Sequence, residues 1–203
     1  MKNCSRMSEL HVGSGSLTSF KTLEIADVPS LRIVEIGDNC FENANALRLT
    51  GLAELTRALI GRNSLVNKEG DFYMQDCTQV RELRVGSGSM QFFKTARIEA
   101  TPLLETVEIG DGCLRYVSEM MMNGLPSLKR VVVGESSFTE RSGVFSLKNC
   151  SSLVDLSIGN YSFAQYSSLV IDSDPLLREV VIRSNSFLNA NELNLSGLEG
   201  LEK

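Results

Sequence analysis

The chain has 203 residues, of which 42% are hydrophobic and 22% are charged, and its formal net charge is −5. This composition supports a continuous hydrophobic core and excludes an intrinsically disordered chain. Acidic and basic residues are interspersed without long runs of one sign, and no apolar stretch reaches the roughly 18 residues that span a bilayer. We therefore expect neither a nucleic-acid partner nor membrane insertion.

A glycine that follows a short run of branched apolar residues recurs along the whole chain. The interval between these positions is 24 or 25 residues, and Arg183 takes the eighth position. The glycines are Gly13, Gly37, Gly61, Gly86, Gly110, Gly134 and Gly159. Apolar residues alternate before each one, as Val34 and Ile36 do before Gly37, and this period of two predicts a strand. The strands should form a parallel ladder at about 4.8 Å spacing. Its predicted rungs are Ile36, Ile60, Val85, Ile109, Val133 and Ile158.

Each unit continues with the same succession of residue types. A small residue lies three positions after the glycine, and a large apolar residue follows it, as Cys40 and Phe41 do in the second unit. A second alternating apolar pair, such as Leu47 and Leu49, predicts another short extended segment opposite the first strand. A turn then leads to the next strand. The large apolar residues of successive units should stack into one continuous column, which no single unit would bury alone.

The units are themselves grouped in threes. A distance of 73 residues separates Gly13 from Gly86 and Gly86 from Gly159, so residues 4–76 resemble residues 77–149 and residues 150–203 begin a third copy. Both ends of the chain interrupt a unit and lack a polar cap. We therefore expect a fragment of a longer repeat array, and the alternative is end-to-end association through uncapped terminal coils.

The units resemble leucine-rich repeats, in particular the irregular BspA-like class of bacterial and protist surface proteins, whose coils carry an Ile-Gly-x-x-Ala-Phe element. Residues 133–138 (VGESSF) and 158–163 (IGNYSF) carry this resemblance. We predict a mainly β, leucine-rich-repeat-like solenoid of about eight coils with a parallel sheet, which forms one domain over residues 1–203. The leading function is a non-enzymatic protein-protein interaction or scaffold module. The resemblance suggests a cell-surface adhesion or carbohydrate-binding role as the alternative.

No arrangement of residues predicts catalysis, a cofactor or a metal. His11 is the single histidine and lies at an outward strand position, where a solvated imidazole is expected. The Gly-Ser-Gly-Ser stretches at 13–16 and 86–89 lack the lysine and the following helix of a phosphate loop.

The five cysteines fall into two columns whose members lie three coils apart, about 14 Å at the spacing of a parallel sheet, and disulfides need α-carbons within about 7 Å. Buried free thiols are therefore expected, which favours an intracellular location unless the full-length protein carries a signal. The columns are Cys4, Cys77 and Cys150, and Cys40 and Cys113.

Outward strand positions carry many charged residues. A solvated face is the simpler interpretation, but solenoids bind partners along extended faces, and a protein partner would use this one. The predicted binding residues are Glu35, Arg57, Arg84, Glu108 and Arg130. The second candidate is the opposite outward column, Glu24, Arg48, Tyr73, Arg97 and Met121. Outward aromatic residues would favour the carbohydrate hypothesis, and Tyr73 is the one clear example in the sequence.

Overall fold

The computed structural model describes residues 4–67, 69–140 and 142–201. The regular secondary structure of these residues consists of sixteen β-strands, which alternate between two eight-stranded parallel sheets. The chain is therefore a β-solenoid in which each coil of about 24 residues gives one strand to each sheet. The predicted mainly β solenoid of about eight coils with a parallel sheet is confirmed.

The first sheet contains the strands that precede the repeated glycines, in the order β1-β3-β5-β7-β9-β11-β13-β15. These are β1 (Glu9–Val12), β3 (Ile33–Ile36), β5 (Arg57–Ile60), β7 (Glu82–Val85), β9 (Thr106–Ile109), β11 (Arg130–Val133), β13 (Asp155–Ile158) and β15 (Glu179–Ile182). Ile36 pairs with Ile60, Ile60 with Val85, and the same register continues through Ile109 and Val133 to Ile158. The predicted ladder is confirmed at all six positions.

The second extended segment of each coil also forms a complete sheet rather than a row of isolated short segments. Its strands are β2 (Leu23–Ala26), β4 (Ala46–Thr50), β6 (Gly70–Gln75), β8 (Phe93–Glu99), β10 (Glu119–Asn123), β12 (Val144–Lys148), β14 (Ser168–Asp172) and β16 (Glu192–Ser196). Pairing is narrowest between β8 and β10, where only Ala96 and Arg97 are in register with Met120 and Met121.

Three corners in each coil place a residue in the left-handed backbone region. In the second coil these are Asn39 (φ 54°), Phe41 (φ 52°) and Gly51 (φ 63°). The large apolar residue after the small one has a positive φ in every coil, from Leu17 to Phe187. This conformation directs the side chain into the space between the sheets, where Phe41 and Phe138 are buried. The rings of Phe138 and Phe163 stack at 4.7 Å as predicted for the apolar column.

The column of small residues joins each coil to the coil before it. The Ser64 hydroxyl donates to the Gly37 carbonyl at 3.0 Å and accepts the Cys40 amide at 3.0 Å. The Ser137 hydroxyl does the same with Gly110 and Cys113. A larger side chain has no room here, since these residues are fully buried. The repeated serine is therefore explained by one donated and one accepted hydrogen bond per coil interface.

The two 25-residue coils share a tight packing of glycine against an aromatic ring. A Cβ atom on Gly70 would lie 2.1 Å from the Phe93 ring, and one on Gly143 would lie 2.4 Å from the Tyr166 ring. Both rings are fully buried. Glu69 and Ser142, immediately before these glycines, have positive φ. The extra residue thus opens space for an aromatic side chain of the following coil, and this packing recurs every three coils.

The terminal coils differ from the predicted column pattern because their outer sides are not covered. Leu193 and Leu195 of β16 are 65% and 45% exposed, although their counterparts Leu169 and Ile171 are buried. Leu17 in the first coil is 40% exposed. Four of the five free cysteines are buried as predicted, but Cys4 in the first coil is only half-buried.

Candidate functional site

Alternation along the strands of the first sheet places one set of side chains on its outer face. Val34, Leu83 and Val107 point into the core, whereas their neighbours at strand positions one and three point outward. Register brings the outward side chains into two columns. We use the name charged face for eight of their charged members, Glu9, His11, Glu35, Arg57, Glu82, Arg84, Glu108 and Arg130; Asp155 and Glu179 continue the first column beyond Arg130.

The centre of the charged face is a network of ion pairs across three strands. Arg57 Nε lies 2.9 Å from one carboxylate oxygen of Glu82, and Arg84 Nε lies 2.5 Å from the other. Arg84 Nε also lies 3.2 Å from Glu108. Both arginines remain about half exposed, and Glu82 is more buried at 19%. The network therefore fixes the positions of two guanidinium groups while leaving them accessible.

One end of the charged face holds His11 between two carboxylates. Its Nδ1 lies 2.9 Å from Glu35 and its Nε2 lies 3.1 Å from Glu9. Hydrogen bonds donated by the imidazolium to the Glu9 and Glu35 carboxylates raise the pKa of His11 above its ordinary value. Both ring nitrogens are thus engaged by carboxylates, an arrangement that favours the imidazolium.

The other end of the charged face is formed by Arg130. Arg130 is exposed and forms no ion pair with any described residue, and its strand neighbours are Thr106 and Asp155. Of the five predicted binding residues, the structure therefore brings Arg57, Arg84 and Glu108 into one network. It places Glu35 beside His11 and leaves Arg130 available.

A shallow groove of about 650 Å³ borders the charged face where the strands end. Its lining includes Glu35, Arg84 and Glu108 and the glycine row. These glycines are required by close stacking, because a Cβ on Gly61 would lie 2.4 Å from the backbone of Gly37. The Gly37 and Gly61 carbonyls already accept bonds from Ser64 and Ser89. Charged side chains at the rim, rather than the glycine backbone, would therefore determine what this groove binds.

Sequence reasoning assigned no special role to Glu82 and missed a second group of residues. Glu82 bridges two of the predicted residues, and the signal was its place one coil after Arg57 and two residues before Arg84.

A separate group lies at a corner of the coils, where Phe92 and Tyr116 stack at 5.6 Å. Tyr73 lies in an outward column as predicted and is half-buried, with the Arg48 guanidinium carbon 5.9 Å from the centre of its ring, whereas Tyr116 is 48% exposed.

The opposite outward column was the second predicted surface. Register confirms that Glu24, Arg48, Tyr73, Arg97 and Met121 are neighbours on the second sheet. Arg48 of this column lies 3.6 Å from Asp71 of the neighbouring outward column and forms an ion pair with it. Met121 is 47% exposed, as predicted.

The described residues contain no group of three or more His, Cys, Asp or Glu side chains arranged to hold a metal ion. Over residues 4–67, 69–140 and 142–201, no helix is long and apolar enough to cross a bilayer. Comparison with protein-family models, curated proteins and solved structures finds no match to this chain.

Proposed function

We propose that the chain is a non-enzymatic scaffold that binds a protein partner on the charged face. The observation that carries this proposal is the network of Arg57, Glu82, Arg84 and Glu108 on the outer face of a regular sheet. The strands repeat at about 4.8 Å, so a flat surface presents charges at defined positions over several coils. Such a surface provides many weak contacts that act together.

The signs of the charges support a protein partner rather than a polyanion. Glu9, Glu35, Glu82 and Glu108 lie among three arginines, so no continuous basic surface exists for phosphates. A protein surface with mixed charges complements this pattern. Electrostatic complementarity of this kind contributes mainly to specificity and to the rate of association.

The charges of the charged face contribute little to the stability of the fold. Exposed ion pairs contribute about 0 to 1 kcal/mol each, whereas the core depends on the buried columns of apolar residues. The pairing of Arg57 and Arg84 with Glu82 lowers the entropy that a partner must remove when it immobilises these side chains. The charged face is thus pre-organised for contact without being essential to the solenoid.

The relation to leucine-rich repeats of the BspA-like class belongs to the same proposal. The VGESSF and IGNYSF segments support it, and each forms the strand end, the serine of the hydrogen-bonded column and the buried phenylalanine. A binding role agrees with this relation.

The test is reversal of the five predicted charges: Glu35→Lys, Arg57→Glu, Arg84→Glu, Glu108→Lys and Arg130→Glu. We expect the melting temperature to change by only a few degrees, because the pairs are exposed. Partners captured by cross-linking from source cells should be lost from the variant. The measurement is quantitative mass spectrometry of captured proteins, with circular dichroism as the check of folding.

A matched control reverses three charges on the opposite sheet: Glu24→Lys, Arg48→Glu and Arg97→Glu. Both sets make the net charge more negative by the same two units, so general electrostatic effects are equal. The control should retain the partners. If the fivefold variant melts normally and retains every partner while the control loses them, the binding face is the second sheet and the proposal fails.

A further inference from the structure

A polar column at one corner of the coils is interrupted by two aromatic residues. The column takes the second residue after each large apolar side chain. Its members are Ser19, Asn43, Asn67, Phe92, Tyr116, Glu140, Gln165 and Asn189. Six of these are polar, and the two aromatic residues occupy neighbouring coils.

The polar members show what the solenoid itself requires at this corner. The Asn43 amide donates to the Thr18 carbonyl at 2.9 Å, and the Asn67 amide donates to the Asn43 carbonyl at 2.6 Å. The Asn189 amide donates to the Gln165 side chain at 2.7 Å. Gln165 and Asn189 are the 73-residue counterparts of Phe92 and Tyr116. The third copy of the repeat therefore folds with a hydrogen-bonded polar pair where the second copy has stacked rings.

The aromatic pair lines a pocket together with an ion pair. Phe92 and Tyr116 stack with an interplanar angle of 29°, and Tyr116 remains 48% exposed. Lys94 Nζ lies 2.9 Å from Glu69 Oε1 beside them. These four residues line an open pocket of about 310 Å³ that draws on three successive coils. No described residue hydrogen-bonds to the Tyr116 hydroxyl.

We propose that Phe92, Tyr116, Glu69 and Lys94 form a binding site for a neutral saccharide. A sugar ring has an apolar face of C–H groups that packs against aromatic carbon, and hydroxyl groups around its edge that need donors and acceptors. The rings supply the apolar surface, the Glu69 carboxylate supplies acceptors, and the Lys94 ammonium supplies donors. A mainly apolar pocket with a few convergent polar groups is the usual form of a small-molecule site.

The charge of the pocket selects a neutral ligand. Glu69 and Lys94 compensate each other, so the lining has no net charge. A cationic side chain that approached the rings would meet the Lys94 ammonium, and an anionic sugar would meet the Glu69 carboxylate. The site is separate from the charged face on the first sheet, so the inference does not depend on the proposed scaffold function.

The test uses a panel of neutral linear tetrasaccharides of glucose, galactose, mannose or N-acetylglucosamine, added to the full chain. The protein has four tyrosines, so the Tyr116 ring signals are resolvable by NMR and assignable with Tyr116→Asn. We expect at least one tetrasaccharide to shift these signals with a dissociation constant on the order of 1 mM or below. Binding should persist at high salt, since no net charge is involved.

The decisive variant is Phe92→Gln with Tyr116→Asn, which installs the polar pair of the third copy. It should fold with a similar melting temperature and bind the tetrasaccharide at least about tenfold more weakly, as expected when aromatic anchors are removed. Its matched control, Tyr161→Asn, removes an exposed ring outside the pocket and should bind normally. If the double variant does not fold, Tyr116→Asn alone is measured with the same expectation.

Three results would overturn the inference. The first is that no neutral tetrasaccharide on the panel binds. The second is that the double variant binds as well as the native chain. The third is that a sulfated tetrasaccharide or a lysine-rich peptide binds at this pocket more tightly than every neutral probe, which would assign the site to a charged ligand.

Discussion

The Asp174 carboxyl group lies in a buried column that is otherwise formed by residues such as Val28, Leu52 and Leu125. Its Oδ1 accepts the Cys150 amide at 2.6 Å, but its Oδ2 is buried without a hydrogen-bond partner among the described residues. Burial raises the pKa of Asp174, and the negative charge of Asp172 acts in the same direction. The ionised form is therefore unfavourable in the folded state.

This carboxyl group predicts a dependence of stability on pH. Because its pKa is higher in the folded state than in the unfolded chain, folding takes up a proton, and the contribution to stability is lost as the pH rises through the folded pKa. Asp174→Asn should melt at a higher temperature than the native chain near neutral pH. The difference should shrink as the pH is lowered from neutral through the pKa of the folded carboxyl. The measurement is thermal unfolding of both proteins across this range.

The difference between the two melting curves cancels the contributions of other titratable groups, including those whose pKa is lowered on folding. The Ser196 hydroxyl donates to Asp172 at 2.6 Å and lowers the pKa of that carboxyl, which stabilises the fold at higher pH in both proteins. A melting difference that is constant with pH would contradict the role given to Asp174.

Three positions of the same column, Cys77, Cys150 and Asp174, show what sequence can and cannot reveal about single residues. Column geometry correctly predicted free, buried thiols at Cys77 and Cys150, and burial raises their pKa values to about 11 and about 12. Asp174 was not predicted to be buried, because Asp-Pro is typical of an exposed turn. The turn is indeed present, but the column continues through it and carries the carboxyl inward.

Among the structural elements, the packing of Gly70 against Phe93 sets the geometry of the coil interface between β6 and β8. Gly70→Ala would place a methyl group 2.1 Å from the Phe93 ring, so we expect a loss of about 1 to 3 kcal/mol or more in the free energy of unfolding. Phe93→Val, the residue that the next coil has at Val117, should recover part of that loss in the double variant. Chemical denaturation of the four proteins measures this coupling.

Gly13→Ala is the matched control for this steric effect. A Cβ on Gly13 would meet nothing closer than the Ser16 hydroxyl at 3.9 Å, so its cost should be small. Additive losses from Gly70→Ala and Phe93→Val would show that the two positions do not pack against each other as described.

The register of the strands was predictable, whereas the contacts between exposed side chains were not. Ile36 and Ile60 pair as expected, because a slip by one residue would expose every inward side chain. Placement of Arg57 and Arg84 on one face followed from the same alternation. Their joint contact with Glu82 did not, since exposed rotamers are not fixed by strand register. Phe92 and Tyr116 were missed because periodicity carries no information about direction at corners with positive φ.

Across the whole molecule, the glycine-aromatic packing means that one coil cannot replace another without loss of a contact. Deletion of residues 77–149 joins Asp76 to Cys150 and brings Tyr166 over Gly70, so every coil interface keeps a native type of contact. We expect a five-coil solenoid with cooperative unfolding, at a lower melting temperature because fewer interfaces remain. Circular dichroism and size-exclusion chromatography check this outcome.

Two single-coil deletions separate coil number from coil type. Deletion of residues 53–77 would place Phe93 over Asn45, which occupies the position of Gly70, whereas deletion of residues 29–52 leaves Gly70 and Phe93 together. Both chains keep seven coils, and the first should melt at the lower temperature. Equal melting temperatures would show that the three-coil order has no energetic basis.

Because of the three-coil period, the charged face presents the same pair of charges twice. Glu35 and Arg57 recur as Glu108 and Arg130, so equivalent charges lie three coils, or about 14 Å, apart. A partner whose own contacts repeat at that interval would engage both sets, and its second contact would form at a high effective concentration. Such linkage raises apparent affinity by about 10² to 10⁴ without any new type of contact. A partner with a single contact would gain almost nothing from the repetition, so the period itself discriminates between repetitive and solitary binding partners.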